Sequence, residues 1–354
     1  MHPALHPHPA QKVISPTTIH HLFPQAAEVR VPALAHVGRG ELLLFLDVRS
    51  TAMRENWEAT GGAMAEDLPN PNSLLLLRGT VDGFSGLEVF RQGQVDPQTG
   101  YSDPCVIAAE QHVMVAYARS YEVGFFGSQP CTGETDAHSL HVEITHSYDG
   151  GRTWDTAKDI TQALAGDRAG IFVTSGHGVR IDQTWALPVV GRTIAGETLH
   201  FTARSEDEGQ SWHPGAPIGT DMDETAYGAS AGRLYLSGRK TSAYATQELG
   251  RWWAISDDAG ATWQDLKFHA EPPVAAANAA LVETPLGLVL CYPGAGRQGG
   301  HIALRRNNAW SHLATFTTGA CGYVEALLVE DRLVVIYESL GEIWMRSYDF
   351  PTTH

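Results

Sequence analysis

The chain has 354 residues, and its 24 Lys and Arg against 40 Asp and Glu give a formal net charge of −16. The length exceeds the roughly 250 to 300 residues over which one core keeps growing, which leaves two domains or a ring of repeated modules. The negative charge excludes a nucleic-acid-binding protein, because it repels phosphate and the sequence has no basic stripe. No apolar run approaches the roughly 18 residues of a membrane-spanning helix.

The first predicted element is an N-terminal arm over residues 1–22, which is rich in His and Pro. We expect this arm to be flexible and to precede a single domain over 23–354, because no linker or charge block divides the rest. The segment also lacks the cationic start and apolar stretch of a signal peptide. The cysteines, widely spaced and without a C-x-x-C motif, are expected to be buried free thiols. Both features predict a cytoplasmic protein, or a secreted one if a signal is removed from the chain.

Short apolar runs between turn residues follow along the chain, as in "ELLLFLDV", "NSLLLL", "RLYLSG", "LGLVLCY" and "RLVVIYE". Runs of this length, separated by turns that contain Gly and Pro, are typical of short β-strands. Only "TAKDITQAL" has helical character. The pattern therefore predicts an all-β fold.

One turn motif recurs as "SYDGGRTW" (147–154), "SEDEGQSW" (205–212) and "SDDAGATW" (256–263). In each copy the Asp can accept backbone N–H groups, the Gly supplies a positive φ, and the Trp buries a ring beneath the turn. The copies start 58 and then 51 residues apart, which is in the range of a four-stranded propeller blade. "TVDGFSGL" and "LRRNNAW" extend the series as degraded copies. We therefore predict a β-propeller in which this turn is structural.

Ten further motifs follow one another in order: "VRVPAL", "FLDVR", "EDLPNPNS", "YSDP", "FFGSQP", "SGHGVRI", "IGTDMDE", "LSGR", "GYVEALL" and "VVIYE". With these motifs the chain resembles the exo-sialidases (neuraminidases) of the six-bladed Asp-box propeller type, especially the bacterial ones, from about residue 28 to 350. The resemblance implies a six-bladed propeller of four-stranded antiparallel blades with Asp-box turns.

The resemblance also implies three catalytic residues: Tyr323 as nucleophile, Glu224 as its base and Asp67 as the acid that protonates the leaving group. A neutral phenol suits sialic acid, whose anomeric carbon carries a carboxylate that would repel a carboxylate nucleophile. Because a phenol of pKa about 10 is a weak nucleophile at neutral pH, it needs an adjacent base and positive charge.

A second implied group of residues binds the substrate. Arg30, Arg239 and a third arginine, either Arg297 or Arg305, would bind the carboxylate, since guanidinium matches it in a bidentate fork. The other members are Glu338 as support for Arg30, Arg49 and Asp103 facing the 4-hydroxyl, and Phe125 lining the pocket near the N-acetyl or glycerol arm. Asp223 has two open interpretations, one as a residue that tunes Glu224 and one as a turn cap. His177 is expected to be a loop histidine without a catalytic role.

The function implied by the resemblance is a retaining exo-α-sialidase. It would remove sialic acid from sialylated oligosaccharides or glycoconjugates through a sialosyl-tyrosine, without a cofactor or a required metal. The alternatives are a trans-sialidase, a hydrolase of a deaminated nonulosonic acid, and an inactive sialic-acid-binding propeller. Retention of both Tyr323 and Asp67 argues against the last, because binding alone would not need them.

One departure from the family is the long segment between Arg49 and Asp67, "STAMRENWEATGGAMAE". Trp57 offers an aromatic face, and Gly61 and Gly62 offer a hinge. Residues 51–64 are therefore either a lid over the aglycone or a disordered surface insertion.

Overall fold

The apolar runs of the sequence form the strands of six sheets, each built on four antiparallel strands. A computed structural model describes residues 5–51 and 67–351. The first strands of successive sheets contact one another around a central axis, and the later strands lie further out. This arrangement is a six-bladed β-propeller, which confirms the predicted fold.

The blades are numbered in chain order. Blade 1 comprises Ala26–His36, Leu42–Ser50, Ser73–Thr80 and Gly83–Arg91. Blade 2 comprises Gln98–Ala109, His112–Ser120, His141–Ser147 and Lys158–Asp159, with Gln94–Val95 and Gly176–His177 paired to its first strand. Blade 3 comprises Gly170–Val173, Thr184–Arg192, Thr198–Ser205 and His213–Pro214, with Val179–Ile181 paired to its second strand.

The second half of the ring is more regular. Blade 4 comprises Met222–Ser230, Arg233–Lys240, Arg251–Ser256 and Gln264–His269. Blade 5 comprises Ala280–Thr284, Gly287–Pro293, Gln298–Arg306 and Ala309–Ala320. Blade 6 comprises Val324–Val329, Arg332–Ser339, Glu342–Asp349 and an outer edge formed by His6–Pro7 and Gln11–Ile14.

Helical structure in the described residues is confined to short segments: Pro16–Ile19, Thr161–Ala165, Ala243–Thr246 and the 3₁₀ turns Phe125–Gly127 and Ala295–Arg297. Thr161–Ala165 lies in the run with predicted helical character. Within the described residues, none of these helices has the length and apolar character needed to cross a membrane.

The N-terminal segment completes blade 6, which differs from the flexible arm expected over residues 1–22. From residue 5 onwards it is docked, because His6 pairs with Asp349 and Gln11 pairs with Met345. Ile19 lies buried in the core between blades 1 and 6. These partners are far away along the chain, so local sequence gave no sign of them.

The core lies between neighbouring blades, where both faces of a sheet are covered. Leu44 and Leu46 of blade 1 pack in one cluster with Val334 and Ile336 of blade 6, and all four are fully buried. Each such side chain contributes about 1.5–3 kcal/mol relative to an exposed one. The four cysteines are free; Cys131 is partly exposed and the other three are buried.

The recurring Asp motif, which was predicted to be a structural turn, joins the third and fourth strands of blades 2, 3 and 4. In the first copy Asp149 accepts hydrogen bonds from the backbone N–H and the hydroxyl of Thr153, at 2.9 and 2.7 Å. Gly151, at φ +80°, donates its N–H to the Ser147 hydroxyl at 2.8 Å. The degraded copies occupy the same position in blades 1 and 5. All five turns therefore lie on one side of the ring.

Candidate active site

The candidate site lies on the side of the ring opposite these turns, where first strands begin and second strands end. At this side three first strands change register, at residues 30–33, 102–105 and 222–225. Val31 and Asp103 at two of these bulges have φ values of +56° and +54°. Because a β-bulge redirects side chains, the three bulges are where sequence-distant polar groups can converge.

Tyr323 and Glu224 meet at the centre of this side. The Tyr323 hydroxyl donates a hydrogen bond to Glu224 Oε2 at 2.6 Å. Arg239 Nη1 lies 2.8 Å from the same carboxylate oxygen and 3.1 Å from the phenol oxygen. All three residues are buried, so the pair predicted as nucleophile and base forms one hydrogen-bonded unit with a cation.

Burial controls the protonation of this unit. It raises the pKa of Tyr323 well above that of a free phenol, and the negative charge of Glu224 raises it further. Burial also raises the pKa of Glu224, against the lowering effect of Arg239. The phenol is therefore protonated at neutral pH, and it can become a nucleophile only as its proton passes to a base in contact with it.

Asp223 orients the cation beside this pair. Its Oδ2 lies 2.9 Å from Arg239 Nη2, while its Oδ1 accepts the backbone N–H of Glu224 at 2.8 Å. Its charge is also one of the causes that raise the pKa of Glu224. Of the two interpretations left open by the sequence, these contacts favour the one in which Asp223 tunes Glu224.

Glu338 joins Arg30 to the nucleophile. Glu338 Oε2 accepts hydrogen bonds from Arg30 Nη2 at 3.3 Å and from the backbone N–H of Tyr323 at 3.1 Å, and its Oε1 accepts the N–H of Val31 at 2.7 Å. Burial opposes ionisation, but Arg30 and these N–H donors hold the pKa of Glu338 below its usual value. The contacts match the predicted supporting role.

The structure separates the two candidates for the third arginine. The Arg297 guanidinium carbon lies 5.8 Å from the centre of the Tyr323 ring, close to the 5.6 Å of Arg30. Arg305 instead lies over Tyr235 at 4.8 Å, near the turn between the third and fourth strands of blade 5 and on the opposite side of the ring. Arg297 is therefore the one that shares the site with Arg30 and Arg239.

Asp67 is paired with Arg49 at the edge of the site. Its carboxylate accepts a hydrogen bond from Arg49 Nη1, and its side chain is 39% exposed. Burial raises the pKa of Asp67, but the charge and hydrogen bond of Arg49, together with the charges of Arg30 and Arg239, outweigh this and lower it below the usual value. Arg49 Nη2 also lies 3.1 Å from Asp47, which is fully buried and hydrogen-bonded by the Ser102 hydroxyl.

Asp103 lies among negative charges. Burial raises the pKa of Asp103 well above its usual value, and the carboxylates of Asp47 and Glu224 raise it further. Burial similarly raises the pKa of Asp47 to about 7, although Arg49 opposes this. A protonated carboxyl at Asp103 can donate a hydrogen bond to a hydroxyl of a bound ligand.

A match to a model of a known protein family identifies the family of this propeller. The family model described as "BNR repeat-like domain" matches residues 92–344, which is well over half of the chain. The chain belongs to the BNR repeat-like family. The match includes the second to fifth blades and most of the sixth.

Several sialidases are similar to this BNR repeat-like chain. A sialidase of Micromonospora viridifaciens is 29% identical over 269 residues, covering 72% of this chain and 38% of that protein. The Hadza microbial sialidase Hz136 has a TM-score of 0.77 at 20% identity, covering 92% of this chain and 66% of the other. An intramolecular trans-sialidase from Ruminococcus gnavus, bound to oseltamivir carboxylate, has a TM-score of 0.68 at 12% identity and covers 92% and 95%. The chain thus spans only about two fifths of the length of the curated relative.

Of the predicted residues not yet placed, the structure describes Phe125 and His177. Phe125 starts a 3₁₀ turn and packs edge-on against Phe172 at 4.8 Å, in a small cluster that also contains Leu68 beside Asp67. His177 Nδ1 donates a hydrogen bond to Glu325 Oε1 at 2.8 Å, between blades 2 and 6. Trp57, Gly61 and Gly62 lie outside the described residues.

Two site residues were missed by the sequence analysis. Asp47 stands two positions before Arg49 on one strand, and this spacing puts both side chains on one face, so the motif "FLDVR" contained the signal. Tyr244 has no recognisable motif in the sequence. It lies in the short helix Ala243–Thr246, and its hydroxyl accepts a hydrogen bond from Arg239 at 3.0 Å. Among the described residues no group of three or more His, Cys, Asp or Glu could hold a metal ion. That the reaction needs no metal stays a prediction.

Proposed function

We propose that the protein is a retaining exo-α-sialidase. The observation that carries the proposal is the 2.6 Å hydrogen bond from Tyr323 to Glu224, beside an arginine that contacts both. A buried tyrosine with its own base suits a sugar whose anomeric carbon carries a negative charge. The similar sialidases and the order of the motifs support the same activity.

The substrate carboxylate binds among Arg30, Arg239 and Arg297. Arg30 and Arg297 both lie within 6 Å of the Tyr323 ring centre, and Arg239 contacts the phenol oxygen. Guanidinium groups stay charged at all relevant pH values and bind carboxylates in a fork. A carboxylate held there puts the anomeric carbon next to the Tyr323 oxygen.

In the first step the Tyr323 oxygen attacks the anomeric carbon as its proton passes to Glu224. Asp67, in its protonated form, gives a proton to the glycosidic oxygen, and the aglycone leaves as an alcohol. In the second step a water molecule attacks the same carbon, Asp67 accepts its proton, and the bond to Tyr323 breaks with return of the proton from Glu224. Two inversions give net retention.

Asp67 must leave Arg49 before it can act as the acid. Arg49 lowers the pKa of Asp67, so only a minor fraction of Asp67 carries a proton at neutral pH. A bound aglycone that displaces the Arg49 contact removes this effect and supplies an acceptor for the proton. The proposed reaction therefore favours mildly acidic conditions.

The test is an assay with a fluorogenic aryl sialoside on the wild type and on Tyr323→Phe. The Phe variant should lose most hydrolysis while still binding a ring-flattened sialic acid analogue, because it keeps the arginines. Tyr348→Phe, which removes another buried hydroxyl of blade 6, is the matched control and should retain activity. Wild-type turnover by Tyr323→Phe would contradict the nucleophile assignment.

Product analysis separates the remaining activities. Proton NMR of the first product should show the α-anomer if the reaction retains configuration. Sialyl-lactose formed when lactose is added would identify a trans-sialidase, and faster turnover of the deaminated sugar would identify a different nonulosonic acid as substrate. Binding of the analogue with no turnover of any sialoside would identify an inactive binding propeller.

A further inference from the structure

Arg251 is a fully buried arginine close to the site that the proposed reaction does not use. It begins the third strand of blade 4 and has no exposed surface. Its guanidinium donates to the Ser237 hydroxyl at 3.1 Å, to the Ser237 carbonyl at 2.7 Å and to the Ala277 carbonyl at 2.6 Å. All three acceptors are uncharged. Burying a guanidinium without a carboxylate partner is costly, so we expect these contacts to have a function.

The Ala277 carbonyl belongs to a loop that faces the candidate nucleophile. Residues 275–278 lead into the first strand of blade 5, and the Ala277 side chain packs with Val31 and Tyr323 in a small buried cluster. This loop therefore forms part of the surface against which the Tyr323 ring is held. Arg251 binds this loop through the Ala277 carbonyl.

The preceding carbonyl of the same loop anchors Arg297. Arg297 Nη2 donates to the Ala276 carbonyl at 2.8 Å. Two consecutive carbonyls thus bind two different arginines, Arg251 from blade 4 and Arg297 from blade 5. The two carbonyls belong to neighbouring peptide planes that share the Ala277 Cα, so a displacement of Ala277 moves both carbonyls and the guanidinium bound to the Ala276 carbonyl.

We propose that Arg251 is a positioning residue, which holds the loop 275–278 so that Arg297 keeps the geometry needed to bind a sialoside. This inference rests on the proposed function. Without Arg251, the Ala277 carbonyl loses its donor in a buried setting and the loop relaxes. Displacing a substrate-positioning group by about 1 Å can cost on the order of 100-fold in rate.

A double-mutant cycle tests the proposal in the intact protein. Arg251→Met should lower kcat/KM for the fluorogenic sialoside at least about tenfold. In an Arg297→Ala background the same change should add less than about threefold, because the loop then has no guanidinium left to position. Arg251→Lys keeps the charge and some donors, so it should recover part of the activity.

Arg346→Met is the matched control. Arg346 also donates to two backbone carbonyls from different segments, those of His8 and Phe316, but lies in the outer part of blade 6. It should leave kcat/KM of the folded protein unchanged. A tenfold loss for Arg251→Met in both backgrounds, or a loss below twofold in the first, would overturn the proposal.

A crystal structure of Arg251→Met separates this proposal from the proposed function. The structure should show the loop 275–278 and the Arg297 guanidinium displaced from their wild-type positions. If both are unmoved, Arg251 is not a positioning residue, whatever the activity. If they move but the wild type cleaves no sialoside, the proposed function fails and the positioning role stands. If Arg251→Met does not fold, Arg251→Lys replaces it in the crystal structure and in the double-mutant cycle. The loop and Arg297 should then shift by a smaller distance, and the loss of kcat/KM should be smaller but should still depend on Arg297.

Discussion

Replacing Glu338 by Gln tests how the site is held together. The carboxylate accepts hydrogen bonds at both oxygens, from Arg30 and the backbone of Tyr323 on one and from the backbone of Val31 on the other. A glutamine has one acceptor oxygen, so its NH₂ group must face at least one of these donors. The isosteric change therefore removes the charge and mismatches a buried hydrogen bond.

The expected loss of stability is about 3 kcal/mol. Breaking a buried ion pair by removing one partner costs about 3–5 kcal/mol, and a hydrogen bond to a charged group is worth about 1.5–3 kcal/mol. The lower end of the 3–5 kcal/mol range applies for two reasons. The Arg30 side chain is 20% exposed, and its Nε still has a second carboxylate, Glu28 Oε2, at 3.7 Å. Since Glu338 also holds Arg30 beside Tyr323, kcat/KM should fall at least about tenfold, or about 1.4 kcal/mol.

Urea denaturation of wild type and Glu338→Gln gives the stability difference, and its pH dependence gives a second check. The folded-state pKa of Glu338 is lowered, so its stabilisation is complete above the pKa of an unfolded glutamate, about 4.3, and is lost as the pH falls through the lower folded value. Glu342→Gln, which removes an exposed ion pair with Lys12 in the same blade, is the control and should cost less than about 1 kcal/mol. A difference below about 0.5 kcal/mol at pH 7, with activity within twofold of wild type, would refute the reasoning.

Three further changes probe other parts of the site. Arg297→Ala should lower kcat/KM at least about tenfold and Arg305→Ala less than twofold, since only the first lies near Tyr323; the reverse order in the sialoside assay would reassign the third arginine. Arg49→Gln removes the charge that lowers the pKa of Asp67, so the alkaline limb of the kcat/KM profile should move to higher pH, and an unmoved limb would mean that another group sets it. Gly322→Ala would place a Cβ 2.2 Å from Glu338 Oε2, so kcat/KM should fall at least about tenfold in the same assay. Gly319→Ala is the control and should be neutral, because its Cβ would lie 3.7 Å from its nearest neighbour.

The sequence predicted the parts of the fold that local chemistry determines. The Asp turns need an acceptor, a positive-φ glycine and a buried ring within eight residues, so the motif alone was enough to predict a structural turn that recurs from blade to blade. The docking of residues 6–14 could not be predicted in this way. Their strand partners lie at the other end of the chain, and a short segment rich in His and Pro carries no pattern of its own.

The same distinction applies to the site. Tyr323, Glu224, Glu338 and Arg30 were identified from ordered motifs, and the structure brings these four together. Spacing alone did not separate Arg297 from Arg305, because the choice depends on which side of blade 5 each one faces. Arg251 gave no signal at all, since its partners are a serine and a backbone carbonyl from the next blade.

Blade 6 also determines when the candidate site forms during folding. The other five blades pair strands that are close along the chain, whereas blade 6 joins segments such as those of His8 and Asp349, which are separated by 341 residues. Contacts at that separation form late, because closing so long a loop costs chain entropy before any contact stabilises it. Glu338 of this sheet holds Arg30 of blade 1, which lies 308 residues away along the chain, so a new chain assembles the candidate site only when blades 1 and 6 have met. The appearance of the proposed sialidase activity during refolding would therefore report ring closure.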